Sequence, residues 1–162
     1  MLTLQPRTRK ELADGLRRRG IPDEITDGVL DRFGDVGLVD DAAFAKAWVT
    51  SRHRGRGLAR KALAHELHRR GVDHASVTAA VDQIDADDEL AAARELVRRR
   101  LPAMQHLAPQ ARTRRLLGML ARRGYGAGVA MRAIRELDGA QLADEAPDED
   151  SVVGDEGRVG DL

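Results

Sequence analysis

The sequence has no cysteine, only four aromatic side chains and no long apolar run. The lack of cysteine excludes disulfides, thiolate metal ligands and cysteine nucleophiles. No stretch reaches the roughly 18 apolar residues that a membrane span needs, so we expect a soluble, cytoplasmic protein without a membrane partner. The aromatic residues are Phe33, Phe44, Trp48 and Tyr125. Because so few rings are present, we expect any contact with DNA to be made to its backbone rather than by stacking on bases.

Alanine, leucine and arginine dominate the composition, which favours helix over strand. The formal net charge is zero, but it is unevenly distributed: residues 1–137 carry 26 basic and 18 acidic residues, whereas residues 138–162 carry nine acidic residues and one basic residue. The resulting +8 on residues 1–137 favours an acidic or phosphate-bearing partner. Residues 138–162 have almost no periodic apolar positions, so we expect a disordered acidic tail there.

An internal repeat organises the chain before that tail. Two leucines four residues apart are followed, four residues later, by a glycine, and two basic residues precede each glycine. The three copies are Leu12, Leu16 and Gly20; Leu63, Leu67 and Gly71; and Leu116, Leu120 and Gly124. Leucines at this spacing share one face of a helix, and the glycine suits the turn at its C-terminal end. A second apolar set follows at shared offsets: Leu30 and Phe33, Val81 and Ile84, and Ile134 and Leu137.

Each copy therefore predicts a helical hairpin, and two further helices are predicted to precede the second and third hairpins. The hairpins pair residues 9–19 with 23–33, 58–70 with 74–84, and 110–123 with 127–137. The additional helices begin at Asp40-Asp41 and at Asp87-Asp88, since acidic residues suit a helix N-terminus. We expect an all-α, elongated array of three-helix units over 9–33, 41–84 and 87–137, following a short segment at 1–8. The first unit lacks its leading helix, which leaves eight helices of a nine-helix design.

Four stretches of the sequence are distinctive: residues 7–12 (RTRKEL), 37–45 (GLVDDAAFA), 51–57 (SRHRGRG) and 63–72 (LAHELHRRGV). In this order and at this spacing they resemble the RecX family, bacterial regulators of the RecA recombinase. The resemblance covers about residues 7–137 and implies three tandem three-helix repeats. It also implies a protein that binds within the groove of the RecA–DNA filament and suppresses strand exchange, co-protease activity and ATPase activity without being an enzyme. Separately, we expect the protein to be a monomer. The alternative is a stand-alone DNA-binding protein whose hairpins act as helix-turn-helix units.

Basic residues supply the candidate contacts to RecA or DNA. Residues 52–61 place five positive charges and one histidine around two glycines, either as a contact for phosphate or acidic groups or as a solvated loop between helices. The basic pairs before the repeat glycines either compensate helix dipoles or line one edge of the array. The candidate binding residues are Arg52, Arg54, Arg56, Arg60, Lys61, Arg69, Arg70, Arg122 and Arg123. We expect Phe44 and Trp48 to belong to the core and residues 98–100 to form a solvated face.

Other kinds of site are poorly supported. Gly55, Gly57 and Lys61 lack the spacing of a phosphate-binding loop. His65 and His68 are three residues apart, whereas a zinc-binding helix needs histidines four apart. No set of residues has the pattern of a catalytic centre, so the sequence predicts neither a cofactor nor a bound metal.

Overall fold

The computed structural model describes residues 6–144, and their regular structure is entirely helical. Eight α-helices and one short 3-10 helix follow one another along the chain. They are α1 (Arg9–Arg17), α2 (Asp23–Asp35), α3 (Asp41–Arg56), α4 (Arg60–Arg69), α5 (His74–Val81), α6 (Ala86–Arg100), the 3-10 helix Leu101–Met104, α7 (Pro109–Arg122) and α8 (Ala127–Asp144). The all-α architecture predicted from the sequence is confirmed.

Side-chain caps fix where four of the eight described α-helices begin. Thr8 and Glu11 form a reciprocal capping box at the start of α1. Aspartate side chains accept hydrogen bonds from backbone N–H groups three residues further on: Asp40 from Ala43, Asp73 from Ser76 and Asp85 from Asp88. Each bond satisfies one of the N–H groups that a helix start leaves without a partner. Helix α6 thus begins at Ala86, directly after its Asp85 cap, rather than at the predicted Asp87.

The repeat glycines end the first helix of every hairpin, as the sequence predicts. Gly20, Gly71 and Gly124 have φ values of +80°, +83° and +89°, a left-handed conformation that other residues rarely adopt. The N–H of the residue after each glycine donates to the carbonyl of the second repeat leucine, as Val72 does to Leu67 at 3.1 Å. This hydrogen bond closes the helix end and turns the chain into the next helix.

The core forms two clusters, one centred on each complete unit, and Ala59 of the second unit belongs to the cluster of the third. In the second unit, α3 packs against α5, and in the third unit α6 packs against α8. The second and third pairs of repeat leucines lie at the centre of these clusters and are fully buried: Leu63, Leu67, Leu116 and Leu120. A hairpin thus buries its apolar face only when the preceding helix covers it.

The first hairpin (α1 and α2) is more open than the other two. Leu30 is buried, but Phe33, which occupies the position of the buried Ile84 in the second unit, is 42% exposed. Leu12 and Leu16 are only half-buried. No helix of the described residues covers this hairpin in the way that α3 and α6 cover theirs, and the exposed apolar side chains follow from that difference.

Successive units are joined by the same two contacts. In each case the residues that begin a hairpin form two hydrogen bonds to the next unit. One bond goes to the end of the first hairpin helix of that unit, and the other goes to the start of its leading helix. The bonds are Thr8 Oγ1 to the Arg70 carbonyl (2.7 Å) and Arg9 N–H to Asp41 (2.8 Å) at the first junction, and Ala59 N–H to the Arg123 carbonyl (2.9 Å) and Arg60 N–H to Glu89 (2.9 Å) at the second. The sequence repeat is therefore matched by a repeat of contacts between units.

Helix α8 continues seven residues beyond the end predicted for it, to Asp144. Residues 140–143 are Ala, Gln, Leu and Ala, all of which have good or moderate helix propensity, and they extend the helix into the segment predicted as tail. The remainder of that segment, residues 145–162, lies outside the described residues, as do residues 1–5. The expected disorder of the tail and the proposed unit boundaries remain predictions.

Replacing Leu67 with alanine should lower the free energy of unfolding by about 2–5 kcal/mol, because the side chain is fully buried and its removal leaves a cavity. Chemical denaturation followed by circular dichroism measures the change. Leu16 occupies the equivalent position in the first unit but is only half-buried, so Leu16→Ala should cost less. An equal or greater cost for Leu16→Ala would contradict the assigned core.

Candidate functional site

The end of α3 brings a basic segment against the third unit. Gly57 ends this helix with a φ of +60°. A Cβ atom there would lie only 3.1 Å from the Leu96 side chain of α6, so glycine allows the two units to approach closely. Residues 52–56 belong to the last turns of α3, and only residues 57–59 form the connection to α4. The predicted loop is thus mostly helical, and its arginines project from a fixed helix end.

A groove of about 1010 Å³ lies at this contact, which we call the inter-unit groove. The end of α3, the end of α5 and the outer face of α6 form its walls. Its lining contains five arginines and only two acidic residues. The arginines are Arg54, Arg56, Arg99, Arg100 and Arg123, and the acidic residues are Asp88 and Glu95. The lining also contains less exposed apolar side chains, which we call its floor, as opposed to the rims that carry the exposed arginines. The floor residues are Val49, Leu58, Ile84, Ala92 and Leu96.

Three of the groove arginines remain available to a partner. Arg99 donates to Glu95 at 2.7 Å, and Arg123 donates to the backbone carbonyl of Arg56. Within the described residues, the exposed side chains of Arg54, Arg56 and Arg100 form no ion pair or hydrogen bond. Guanidinium groups held in this way suit phosphate or carboxylate groups, which they can bind through two hydrogen bonds.

The structure distributes the predicted binding residues over several environments. Arg54, Arg56 and Arg123 meet at the inter-unit groove. Arg60 lies outside the groove lining and pairs with Asp82 at 2.6 Å. The remaining exposed candidates, also outside the groove lining, are Lys61, Arg69 and Arg122. The basic cluster at residues 52–61 is therefore not a single surface.

Two further candidate residues, Arg52 and Arg70, pack on the ring of Trp48. The two guanidinium carbons lie 4.1 and 3.8 Å from the centre of its ring, respectively. The indole N–H donates to Glu66 at 2.9 Å. Trp48 is half-buried and stacks on the buried Phe44, so only Phe44 is a core residue in the sense predicted. These cation–π contacts hold both arginines within the protein.

The basic pairs before the second and third repeat glycines divide into two roles. The first member of each pair, Arg69 or Arg122, is exposed. The second member lies at a junction between units: Arg70 pairs with Glu11 at 2.8 Å, and Arg123 reaches the carbonyl of Arg56. Sequence alone treats the two members of a pair alike, because it does not show which side of the helix meets the neighbouring unit.

Residues 98–100 are exposed, as expected of a solvated face, but the sequence did not indicate that Arg99 and Arg100 also line the groove. Their signal is a second stripe along α6, at residues 88, 92, 95, 96 and 99, with the spacing of one helix face. This stripe is mixed in polarity and so is weaker than the apolar stripe that faces α8. No group of three potential metal ligands forms among residues 6–144, and no helix there is long and apolar enough to cross a membrane.

Tyr125 ties the third unit to the groove and provides a spectroscopic probe of that junction. Its hydroxyl donates to the Gly57 carbonyl at 2.9 Å. Burial, assisted by the negative charge of Glu89, raises the pKa of Tyr125 to about 12. Since an unfolded tyrosine titrates near pH 10, the folded protein holds this proton more tightly. The stability contributed in this way is complete below about pH 10 and is lost as the pH rises from there through about 12.

The chain has a single tyrosine, so phenolate absorbance reports Tyr125 alone. We expect the absorbance of the folded protein to change with an apparent pKa well above 10, and that of the protein in concentrated urea to change near 10. The same apparent pKa in both conditions would show that the hydroxyl is not buried at the junction.

Comparison with known proteins matches each of the three units. Three family models match the chain over residues 1–33, 40–81 and 87–134. These models describe the first, second and third three-helix domains of RecX, respectively. A "Regulatory protein RecX" of Thermobifida fusca (strain YX) is 58% identical over 152 residues, which cover 92% of this chain and 82% of the relative. Another, of Streptomyces lividans, is 51% identical over 157 residues, covering 97% and 81% of the two chains.

Solved structures show the same fold. A crystal structure of RecX from Lactobacillus salivarius superposes with a TM-score of 0.77 at 21% identity, covering 85% of this chain and 89% of the other. A crystal structure of a regulatory protein RecX gives a TM-score of 0.72 at 19% identity, covering 79% and 63% of the two chains. The predicted series of three-helix units is confirmed by these likenesses and by the family models.

Proposed function

The chain belongs to the RecX family, and we propose that it is a non-enzymatic regulator that binds RecA–DNA filaments and mainly inhibits RecA. The activities affected are strand exchange, ATP hydrolysis and the co-protease function. We further propose that it acts as a monomer in the cytoplasm, where RecA works. The names of the relatives support a regulatory role, and the basic groove supports a polyanionic partner.

The inter-unit groove is the observation that carries this proposal. A RecA–DNA filament presents DNA phosphates and acidic side chains, and Arg54, Arg56 and Arg100 offer unpaired guanidinium groups to either. Because these arginines project from α3 and α6 across one groove, they can hold one strand of a partner from two sides. Residues 1–137 carry +8, which would also accelerate association with a filament of opposite charge.

A filament regulator uses protein contacts as well as phosphate contacts, and this separates it from a protein that binds DNA alone. Phosphate contacts by themselves give affinity that depends steeply on salt and little on which protein coats the DNA. The regulator should therefore bind a RecA–DNA filament much more tightly than the same DNA without RecA. The hairpins of a stand-alone helix-turn-helix protein would instead need bare duplex grooves.

The test is a pair of fluorescence-anisotropy titrations. One uses a labelled oligonucleotide coated with RecA and a non-hydrolysable nucleotide, and the other uses the same oligonucleotide alone at the same salt concentration. We expect much tighter binding to the coated oligonucleotide. Equal or tighter binding to the bare oligonucleotide would favour the stand-alone DNA-binding protein and overturn the proposed function.

A further inference from the structure

The inter-unit groove combines two properties that point to a particular kind of occupant. Its floor is apolar, formed by Val49, Leu58, Ile84, Ala92 and Leu96, and its rims carry the arginines. A bare phosphodiester backbone would satisfy the rims but leave the floor without an apolar partner. A peptide segment with small apolar residues between acidic ones would satisfy both, because it buries apolar surface and pairs its carboxylates with guanidinium groups.

The chain itself contains such a segment outside the described residues. Residues 148–156 read DEDSVVGDE, with two adjacent valines preceded by three acidic residues and followed by two. Residues 145–162 as a whole contain seven acidic residues and one basic residue. The segment therefore carries both kinds of side chain that could pair with the groove lining, acidic ones for the arginines and valines for the apolar floor.

The groove is within reach of this segment. Arg94 of α6 contacts Glu136 of α8 at 2.5 Å, which fixes the two helices against each other at that level. Asp144 lies eight residues further along α8, and Arg100, on the groove rim, lies six residues further along α6. At helical rise and ordinary interhelical spacing, Asp144 and Arg100 are within about 30 Å of each other. Val152 lies eight residues after Asp144, a stretch that spans about 28 Å when extended, so a nearly extended chain brings the valines to the groove.

We propose that residues 148–156 bind in the inter-unit groove of their own chain, with Val152 and Val153 on its floor and the acidic residues against its arginines. Covalent attachment gives such a segment an effective concentration of about a millimolar, so even weak binding occupies the groove. The segment then competes with any other polyanion for the same arginines. Its consequence for RecA rests on the function proposed above, whereas the docking itself does not.

The absence of cysteine makes the docking directly testable in the full-length protein. One variant combines Ala92→Cys on the groove floor with Ser151→Cys beside the two valines. The matched control combines Gly139→Cys with Ser151→Cys, because Gly139 is exposed on α8 and closer to residue 151 along the chain. Under mild oxidation, we expect the intramolecular 92–151 disulfide to form about tenfold faster than the 139–151 disulfide. A segment without a preferred site would favour the nearer pair, so equal or slower 92–151 formation would overturn the proposal.

Two further changes distinguish docking in the groove from general attraction. The first change adds Arg54→Glu and Arg100→Glu to the 92–151 cysteine variant, and the second adds Val152→Ser and Val153→Ser. Each double substitution should remove most of the rate advantage of the 92–151 disulfide over the 139–151 disulfide. An undiminished advantage in either background would contradict the assigned contacts. Circular dichroism confirms that each variant keeps its helices.

A last measurement separates this proposal from the proposed function. For this measurement, the five acidic residues of 148–156 are replaced by asparagine or glutamine. The affinity for RecA–DNA filaments should rise about tenfold at low salt and much less at high salt, where charges are screened. Preferential 92–151 crosslinking in a protein that binds no filament would overturn the proposed function and uphold the docking. Filament binding that is unchanged by neutralisation would show that the segment and the filament do not compete.

Discussion

Replacing Gly124 with alanine should destabilise the protein more than the same replacement at Gly71 or Gly20. All three glycines have positive φ, so each alanine carries a backbone cost of about 1–2 kcal/mol. At Gly124, a Cβ atom would also lie 2.6 Å from both the backbone nitrogen and the Cβ of Ala62, at the junction between the second and third units. Since the backbone of α4 cannot move aside as a side chain can, we expect about 1–3 kcal/mol more from overpacking.

The other two glycines are matched controls for this prediction. The three atoms nearest to a Cβ at Gly71 would be the Cδ, Cβ and Cγ of Lys10, of which Cδ and Cγ can rotate away and only Cβ is fixed by the backbone, whereas three fixed atoms of Ala62 face Gly124. A Cβ at Gly20 would meet nothing within 4 Å. Denaturant titration should therefore rank the losses of stability as Gly124, then Gly71, then Gly20. Equal losses at all three positions would show that the glycines serve only the helix ends and that the units do not pack as closely as described.

Reversing the three available groove arginines should weaken filament binding while leaving the fold intact. In the variant Arg54→Glu/Arg56→Glu/Arg100→Glu, three attractive contacts are lost and repulsion from phosphate or carboxylate replaces them. At about 0.5–1 kcal/mol for each exposed contact, the affinity for RecA–DNA filaments should fall tenfold to a hundredfold. The side chains are exposed, so the helical circular-dichroism signal should not change.

A second triple variant controls for the change in net charge. Arg19, Arg32 and Arg114 are also exposed and lie outside the groove lining, so reversing them changes the total charge by the same amount. This control should bind filaments far more tightly than the groove variant. Equal losses in the two variants would mean that net charge alone governs binding, and loss of helix in the groove variant would assign those arginines a structural role.

The helices were predictable because their signals are local. Leucines four residues apart, a glycine after them and acidic residues at helix starts are all read within about ten residues of sequence. The threefold recurrence of Leu12, Leu63 and Leu116 then defined the hairpins without any knowledge of tertiary contacts. The length of α8 was underestimated, since its last residues have no apolar period and continue the helix through propensity alone.

The candidate site was less predictable because it forms between units. Arg54 and Arg100 are 46 positions apart and meet only when α6 packs against the end of α3. The sequence likewise grouped Arg52 with Arg54, although Trp48 holds the first and the groove exposes the second. The environment of each arginine depends on which face of its helix meets the neighbouring unit. A single sequence in which that face is only a weak, mixed-polarity stripe does not determine it.

The effect of this protein on RecA itself tests the proposed regulation most directly. RecA-catalysed ATP hydrolysis and DNA strand exchange are measured while the protein is added at sub-stoichiometric ratios to RecA, with the groove variant as the weaker-binding control. We expect both activities to fall well before the protein equals RecA in concentration, since a filament regulator acts on many RecA subunits at once. Unchanged rates of both reactions at every ratio would contradict the account.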